Sequence, residues 1–188
     1  MSNKKHVTLL WGDITTLPVD AIVNSANKTL LGGGGLDYVI HKKAGLLMKQ
    51  ACIELNQLKG GCPTGQAEVT IAGDLPAQYI IHAVGPRWLD GEHNEADLLC
   101  SSYLSALVKA NEVRAKKVSF PSISTGVYSF PKQLAAEIAL GTVLSTLPNY
   151  SFIDEVVFVI KDSDNYQIYQ NILSNLQDEH LEIKTEKT

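Results

Sequence analysis

The sequence predicts an α/β protein in which helices cover both faces of a largely parallel sheet. Short apolar runs rich in β-branched residues alternate with longer segments whose apolar residues recur at helical spacing. Residues 79–84 and 156–160 are almost wholly apolar, which is typical of strands buried on both faces. Because 188 residues suit one compact domain, we expect a single domain over residues 1–177. The charge-rich residues 178–188 are predicted to be a flexible tail.

The first half of the chain contains four predicted strands and one helical region. The strands are predicted at residues 7–11, 21–23, 67–71 and 79–84. The third of them is predicted to have one solvent-exposed face, because its apolar residues alternate with Glu68 and Thr70. A helix is predicted between the second and third strands, since apolar residues at positions 47, 51, 55 and 58 recur at helical spacing and a glycine pair at 60 and 61 follows as a stop signal.

The second half contains two predicted strands and three helices. The strands are predicted at residues 118–120 and 156–160, and the helices at about 94–110, after Pro131, and over 166–176. Asn94 is a suitable first residue for its helix, because acidic residues that suit the positive end of a helix follow it. In sheets of this class, ligands bind beyond the carboxyl ends of the parallel strands. The loops after residues 11, 23, 84, 120 and 160 are therefore the candidate site.

Composition excludes several classes of protein. A net charge of −4 argues against a protein that holds a long nucleic acid over a broad basic surface. The three cysteines show no metal-ligand spacing, so neither a zinc site nor a disulfide framework is expected. No apolar run approaches the roughly 20 residues that a membrane span needs, and no signal peptide is recognisable. We therefore expect a cytoplasmic protein.

Two of the candidate loops are suited to binding an anion through the backbone. Gly32, Gly33, Gly34 and Gly35 precede a predicted helix that begins near Leu36, so unpaired N–H groups at the helix start could meet a phosphate. Residues 122–128, which include Ser124, Thr125, Gly126, Val127 and Tyr128, follow a strand in the same way and add hydroxyl donors and an aromatic face. Each loop, taken alone, is about as well explained as an ordinary flexible turn.

The other two loops carry amide and carboxylate groups. Asn24 and Asn27 could hydrogen-bond sugar hydroxyls, because an amide both donates and accepts, although a plain turn is an equal alternative. Asp13, followed by Ile14, could accept from an exocyclic amine such as that of adenine, although capping of the next turn is the more common role for such an aspartate. Together the four loops fit the diphosphate, sugar and base of one nucleotide.

Six ordered motifs resemble those of macrodomains, and most closely the MacroD-type branch with the bacterial O-acetyl-ADP-ribose deacetylases. The resemblance covers roughly residues 6–175. The motifs are Gly12-Asp13-Ile14-Thr15, Val23-Asn24-Ser25-Ala26-Asn27, Gly32 to Gly35 with Leu36-Asp37 and Ile40-His41, Cys62-Pro63-Thr64-Gly65, Ile81-His82-Ala83-Val84-Gly85-Pro86 and Ser124-Thr125-Gly126-Val127-Tyr128.

The resemblance implies a three-layer α/β/α sandwich around a mixed six-stranded sheet, with an ADP-ribose cleft at the strand ends. It implies that Asp13 binds the adenine amine with Ile14 beside it, and that the glycine loop and residues 124–128 wrap the diphosphate. Asn27 and Asp37 would flank the distal ribose and carry out hydrolysis. His41, one helical turn beyond Asp37, could face it, or could equally be a core histidine. Asn24 is included among the ligand-binding candidates, although a role in shaping the loop fits it better.

The chain also departs from the family pattern. Tyr38 follows Asp37 where the family usually has glycine, and its ring could narrow the distal pocket or cover the reacting ribose, which would affect turnover rate and substrate range more than binding. Lys161 stands where many relatives place an aromatic residue that stacks on adenine. Ser25 replaces the first alanine of an Asn-Ala-Ala-Asn motif, a change from which we expect little effect.

The resemblance implies an enzyme that removes acetyl from O-acetyl-ADP-ribose, or ADP-ribose from acidic side chains of proteins, without a cofactor or metal. A binding module that recognises ADP-ribose without turnover is the alternative, and Tyr38 is its main support. A third class is an RNA-binding or RNase-regulating protein, which the acidic balance disfavours. The expected partners are ADP-ribose, O-acetyl-ADP-ribose and ADP-ribosylated proteins, and we expect a monomer.

Overall fold

The computed structural model describes residues 4–176 and 181–187. Its strands are β1 (Lys5–Trp11), β2 (Ala21–Ser25), β3 (Ala67–Ile71), β4 (Tyr79–Ala83), β5 (Lys117–Phe120), β6 (Glu155–Ile160) and β7 (Leu181–Lys187). Its helices are α1 (Gly35–Lys59), α2 (Glu95–Glu112), α3 (Lys132–Thr146) and α4 (Ser163–Ser174), and a short 3₁₀ turn, Leu147–Asn149, follows α3. The alternation of strands and helices predicted from the hydrophobic pattern is confirmed.

All seven strands form one sheet in the order β3-β4-β2-β5-β6-β1-β7. Only β3 runs antiparallel to its neighbour, β4, while the other strand pairs are parallel. The predicted mixed, largely parallel sheet is therefore confirmed, but the expected number of six strands is wrong by one. The carboxyl ends of β1, β2, β4, β5 and β6 consequently lie at one edge of the sheet.

The extra strand is β7, which pairs in parallel with β1 from Lys5↔Leu181 to Trp11↔Lys187. The prediction of a flexible tail over residues 178–188 is therefore wrong for residues 181–187, while residues 178–180 and 188 lie outside the described residues. The sequence there alternates Leu181 and Ile183 with charged residues, a period of two that is typical of a strand. The high charge of this segment led to the prediction of a tail. Charged residues are common on edge strands, however, so they are compatible with a strand at this position.

Two hydrophobic cores lie on opposite faces of the sheet and give the fold its three layers. Helices α2, α3 and α4 cover one face, where Tyr103, Phe120 and Phe158 are buried. Helix α1 covers the other face alone, through Ile40, Ala44, Met48 and Cys52. The helical spacing at 47, 51, 55 and 58 predicted the helix but not its buried side, because Leu47 and Leu58 are 70% and 80% exposed.

A kink at Gly45 directs the first part of α1 towards the strand ends. Gly45 has φ 82°, a left-handed conformation that favours glycine, and a Cβ there would lie 2.5 Å from Asp74 Oδ2. The carbonyl of Ala44, freed by the kink, accepts the backbone N–H of Asp74 at 2.9 Å. The helix start can therefore face the cleft while the rest of α1 packs along the sheet.

Within the described residues, every helix is too short or too polar to cross a bilayer.

Candidate active site

A cleft of about 540 Å³ lies at the carboxyl edge of the sheet. It is lined by residues that follow β1, β2, β4, β5 and β6, as the position of ligands in parallel sheets predicts. The lining includes these predicted site residues: Asp13, Ile14, Asn27, Gly33, Gly34, Gly35, Leu36, Asp37, Ser124, Thr125, Gly126, Val127 and Tyr128. The strand order places the groups after β1 and β6 at one end of the cleft and those after β2 and β4 at the other.

The glycine loop forms one wall of the middle of the cleft. Gly34 caps α1 without any side-chain hydrogen bond to the helix start, so the N–H groups of the first turn point away from the helix unpaired. A Cβ on Gly33 would lie 3.1 Å from Asn27 Nδ2 and 3.2 Å from Asp37 Oδ2, so this position has no room for a side chain. The loop thus presents positive N–H groups to the cleft at a helix N-terminus, an arrangement suited to phosphate.

The loop at residues 122–128 forms the opposite wall. Ser124 has φ 67° and its carbonyl accepts the N–H of Phe130 at 2.9 Å, while Ser129 N–H donates to Gly126 at 3.0 Å. No acceptor among the described residues pairs with the N–H groups of residues 125–128. Val127 Cγ2 would lie 3.6 Å from a Cβ on Gly34, so the two loops approach each other across the cleft. Both loops therefore present backbone N–H donors to the cleft.

Asn27 and Asp37 lie side by side at the β2 end of the cleft. Asn27 Nδ2 donates to Gly32 O at 3.0 Å, and its Oδ1 accepts from Thr29 Oγ1 at 2.8 Å and from Leu30 N–H at 3.2 Å. Asp37, only 4% exposed, accepts from Asn24 Nδ2 at Oδ1, at 2.7 Å. Because Oδ1 is engaged and Oδ2 faces Gly33, Oδ2 is the oxygen of Asp37 available to a bound molecule.

Four predicted site residues do not line the cleft: Asn24, Gly32, Tyr38 and His41. Asn24 is fully buried beneath Asp37, so its prediction as a ligand-binding residue is wrong, because the pleat of β2 directs it into the protein. Gly32 serves instead as the acceptor for Asn27. Tyr38 is 58% exposed outside the cleft, because consecutive residues of a helix point about 100° apart. The expectation that its ring narrows the distal pocket is therefore wrong.

His41 is buried and also faces Asp37, which unites the two alternatives predicted for it. Its Nε2 lies 3.3 Å from Asp37 Oδ1, at an angle outside hydrogen-bond geometry. It lies one helical turn beyond Asp37, as the spacing required, and beneath Gly32, where a Cβ would lie 3.5 Å from its Nδ1. His41 therefore supports the floor of the site rather than its surface.

Asp13 lies at the opposite end of the cleft. Its Oδ1 accepts from the N–H and the hydroxyl of Thr15 at 2.9 and 2.5 Å, and its Oδ2 accepts from Lys43 Nζ at 3.1 Å. Asp13 thus caps the turn that follows it, which was the more common of the two roles considered, and it also lines the cleft. Burial alone would raise the pKa of Asp13, but the bonds from Thr15 and Lys43 outweigh it and lower the pKa to about 2.

We expect this lowered pKa to make stability depend on pH in acid. An aspartate with a folded-state pKa of about 2, below the unfolded value of 3.8, stabilises the fold fully above the unfolded value. This stabilisation is lost as pH falls through about 4 towards about 2. Asp13→Asn should therefore lower the unfolding free energy at pH 7 and leave it nearly unchanged at pH 2, measured by urea denaturation. An equal loss at both pH values would contradict the assignment.

Sequence reasoning missed several polar residues of the cleft. Arg87 lines it after β4, with its guanidinium 5.2 Å from the centre of the Tyr128 ring. Lys132 lines it from α3 and pairs with Asp162 and Asp164 at 3.0 and 3.2 Å. Neither of the two glycine-containing loops has a Lys or Arg, so these two basic groups reach the cleft from other segments. The position of Arg87 directly after a predicted strand was the one signal that could have indicated it.

Asn165 also lines the cleft and was not predicted. Its Nδ2 donates to Thr125 Oγ1 at 3.2 Å, while its Oδ1 is buried without a hydrogen-bond partner among the described residues. Asn165 lies in the first turn of α4 and belongs to none of the six motifs, so no sequence pattern indicated it.

Among the described residues, two groups of side chains have the composition of metal ligands, and both lie outside the cleft. One is the buried set His41, Cys52 and His82, and the other is the mostly exposed set Asp90, His93 and Glu95. Glu95 in the second set already accepts the backbone N–H groups of residues 89, 90, 91 and 93. Neither set contains a residue of the cleft.

The chain resembles known proteins over nearly its whole length. The sequence pattern of the family described as the Macro domain matches residues 23–139. A Macro domain-containing protein from Acinetobacter sp. is 68% identical over 179 residues, which are 95% of this chain and 98% of the relative. An O-acetyl-ADP-ribose deacetylase from Escherichia fergusonii is 47% identical over 176 residues, which are 94% of this chain and 99% of the relative.

Solved structures agree with these sequence relationships. The Oceanobacillus iheyensis macrodomain with ADP superposes with a TM-score of 0.82 at 40% identity and covers 88% of this chain and 90% of that chain. The Trypanosoma brucei macrodomain in complex with ADP-ribose superposes with a TM-score of 0.81 at 37% identity, over 89% of this chain and 69% of that chain.

Proposed function

The chain belongs to the Macro domain family, and from this membership we propose that it binds ADP-ribose and hydrolyses the acetyl ester of O-acetyl-ADP-ribose. The observation that carries the proposal is the buried carboxylate of Asp37 beside Asn27, at one end of a cleft walled by two sets of backbone N–H donors. The related deacetylase sequences and the ADP and ADP-ribose complexes of macrodomains support it.

The order of the strands supports one orientation of the ligand. Asp13, after β1, would accept from the adenine amine, and the two loops in the middle would hold the diphosphate. The distal ribose would then lie after β2, where Asn27 and Asp37 lie together. Binding of the diphosphate far from the reacting carbon would contribute to positioning that carbon.

In the proposed reaction Asp37 acts as a general base. Oδ2 takes a proton from water as the water oxygen adds to the acetyl carbon. The bond between that carbon and the ribose oxygen then breaks, and the ribose oxygen takes up the proton, so that the products are ADP-ribose and acetic acid, which ionises to acetate. Asn27 has one amide hydrogen left after its bond to Gly32, and that hydrogen would hold a ribose hydroxyl in place.

We extend the proposal to ADP-ribose attached to acidic side chains of proteins. The bond between ribose and a glutamate or aspartate carboxyl is an ester, as in the acetylated ligand, so the same base and the same water would serve. Arg87 is exposed and follows β4, at the end of the cleft where the distal ribose would lie. Its positive charge would attract an acidic segment of the modified protein. The protein would act as a monomer with a single domain, to which the edge strand β7 belongs.

A hydrolysis assay tests the proposal on both substrates. Purified protein should release acetate from O-acetyl-ADP-ribose, and ADP-ribose from a protein modified on glutamate. Tight binding of ADP-ribose in calorimetry without release of either product would overturn the enzymatic proposal and favour a binding module. The ring of Tyr38, which had favoured such a module, lies outside the cleft, so no observation favours that alternative.

The adenine end offers a prediction about affinity. The only aromatic ring that lines the described cleft is Tyr128, and the proposed adenine site is bordered by Ile14, Val159 and Lys161. An aromatic ring at position 161 could stack on the base, since base–aromatic stacking contributes about 1–3 kcal/mol. We expect Lys161→Tyr to lower the Kd for ADP-ribose by about tenfold, measured by calorimetry.

Lys161→Met is the matched control for this prediction, because it removes the charge without adding a ring. Its Kd should stay closer to the wild-type value than that of Lys161→Tyr. Equal affinities of the two variants would show that stacking contributes nothing at this position.

A further inference from the structure

A chain of buried hydrogen bonds runs from strand β3 to the carboxylate of Asp37. Thr70 Oγ1 lies 3.1 Å from Ile71 O and 2.9 Å from His82 Nε2. His82 Nδ1 lies 3.2 Å from Asn24 Nδ2, and the same Nδ2 lies 2.7 Å from Asp37 Oδ1. His82 and Asn24 are fully buried and Thr70 is 6% exposed, so solvent does not compete for these bonds.

The donors and acceptors of this chain fix the tautomer of His82. The Thr70 hydroxyl donates its one hydrogen to the carbonyl of Ile71, so it can only accept from His82. Nε2 therefore carries the ring proton, and Nδ1 is an acceptor. The two amide hydrogens of Asn24 then have two acceptors, His82 Nδ1 and Asp37 Oδ1, and every hydrogen in the chain is used.

The reversed arrangement places like groups together. A ring proton on Nδ1 would turn the Asn24 amide around and set its Oδ1 against the Asp37 carboxylate at 2.7 Å. It would also leave Ile71 O and His82 Nε2 competing for the one hydroxyl hydrogen of Thr70. Two oxygen acceptors at that distance repel strongly in a buried site, so the orientation of Asn24 and the tautomer of His82 depend on each other.

The surroundings of the ring keep it neutral. The titratable groups that face it are Asp37, His41 and Cys52, all on α1, and the polar neighbours from the sheet are Asn24 and Thr70. Burial, together with His41 and against the effect of Asp37, lowers the pKa of His82 to about 4. Burial, together with Asp37, raises the pKa of Cys52 to about 12, so that the thiol stays protonated.

We propose that His82 is a positioning residue of the hydrolytic site. Thr70 accepts the hydrogen bond from Nε2–H and so keeps the ring proton on Nε2. His82 Nδ1 then orients the amide of Asn24, and this amide holds Asp37 Oδ1. The consequence is that Oδ2 remains directed at the cleft. His82 and Thr70 do not line the cleft, so neither contacts the substrate. This inference rests on the proposed function, since it assigns to Asp37 the role of base.

The tautomer is measured directly by ¹⁵N NMR of the imidazole nitrogens in the wild-type protein. We expect a neutral ring at pH 7 with a protonated Nε2 that exchanges slowly with water. A proton on Nδ1, or a charged imidazolium, would overturn the inference regardless of any activity measurement.

Two substitutions at Thr70 test the effect on catalysis. Thr70→Val keeps the shape of the side chain but removes the acceptor for Nε2–H, whereas Thr70→Ser keeps the hydroxyl. We expect Thr70→Val to lower kcat for O-acetyl-ADP-ribose by about tenfold, the effect of one lost hydrogen bond on the orientation of the base, with kcat rescued in Thr70→Ser. The Kd for ADP-ribose should stay within about twofold of the wild type in both variants.

A buried threonine on the other face of the sheet provides the matched control. Thr142, in α3, is 8% exposed, and Thr142→Val makes the same chemical change away from Asp37, so its kcat should equal that of the wild type. A kcat of Thr70→Val equal to the wild type would overturn this inference alone. No hydrolysis by the wild type would instead overturn the proposed function, and this inference with it.

Discussion

Replacing Asp37 by asparagine is expected to lower kcat for the hydrolysis of O-acetyl-ADP-ribose by about 10²- to 10⁴-fold, the range for loss of a general base. Asparagine has the same shape but cannot take a proton from water. The Kd for ADP-ribose should change little, because the two loops that would hold the diphosphate keep their backbone donors. The measurements are steady-state kinetics of acetate release and calorimetry with ADP-ribose.

Asp97→Asn is the control for this substitution. Asp97, like Asp37, lies in the first turn of a helix, so both changes remove one negative charge near a helix N-terminus. Asp97 is exposed on α2 and does not line the cleft, so its substitution should leave kcat unchanged. Substantial hydrolysis by Asp37→Asn would exclude Asp37 as the base and would direct attention to a phosphate of the substrate itself.

Gly85→Ala is expected to destabilise the fold by overpacking. A Cβ at position 85 would overlap Ser124 Oγ and approach Ile123 Cγ2 to 2.6 Å. Both neighbours are buried, so they cannot move aside freely, and overpacking of this kind costs about 1–3 kcal/mol of unfolding free energy. Because Ser124 lies in the loop at residues 122–128, which lines the cleft, we also expect weaker binding of ADP-ribose. Urea denaturation and calorimetry measure the two effects.

The matched control is Gly141→Ala, in the interior of α3. A Cβ on Gly141 would meet no atom within 4 Å, so alanine there should increase stability by about 0.5–1 kcal/mol through its better helix propensity. If Gly85→Ala were as stable as the wild type, the close approach of the β4 end to Ser124 would not constrain the fold.

The backbone cradles could be predicted because their chemistry is local. A run of four glycines before a helix, and a Ser-Thr-Gly segment after a strand, determine the backbone conformations available to them. Parallel strands end at the same edge of the sheet, so the loops that follow them lie at that edge. Asp13, Asn27 and Asp37 were predicted in the cleft for the same reason.

The side chains that sequence reasoning misplaced depend on facing directions that no local pattern reveals. Asn24 and Asn27 appear equivalent in the motif, yet one points under the sheet edge and the other into the cleft. Tyr38 is adjacent to Asp37 in sequence but lies outside the cleft. In each case the direction that the backbone gives a side chain decides whether it faces the cleft, the protein interior or solvent.

The sequence by itself determined the α/β class, the parallel core of the sheet and the backbone anion cradles, because hydrophobic period and glycine placement act over a few residues. Tertiary structure alone decided that Arg87, Lys132 and Asn165 join the cleft, that residues 181–187 form an edge strand, and that Thr70 and His82 reach Asp37 through Asn24. These contacts join residues far apart in the chain, and their partners are chosen by strand pairing and packing rather than by neighbouring sequence.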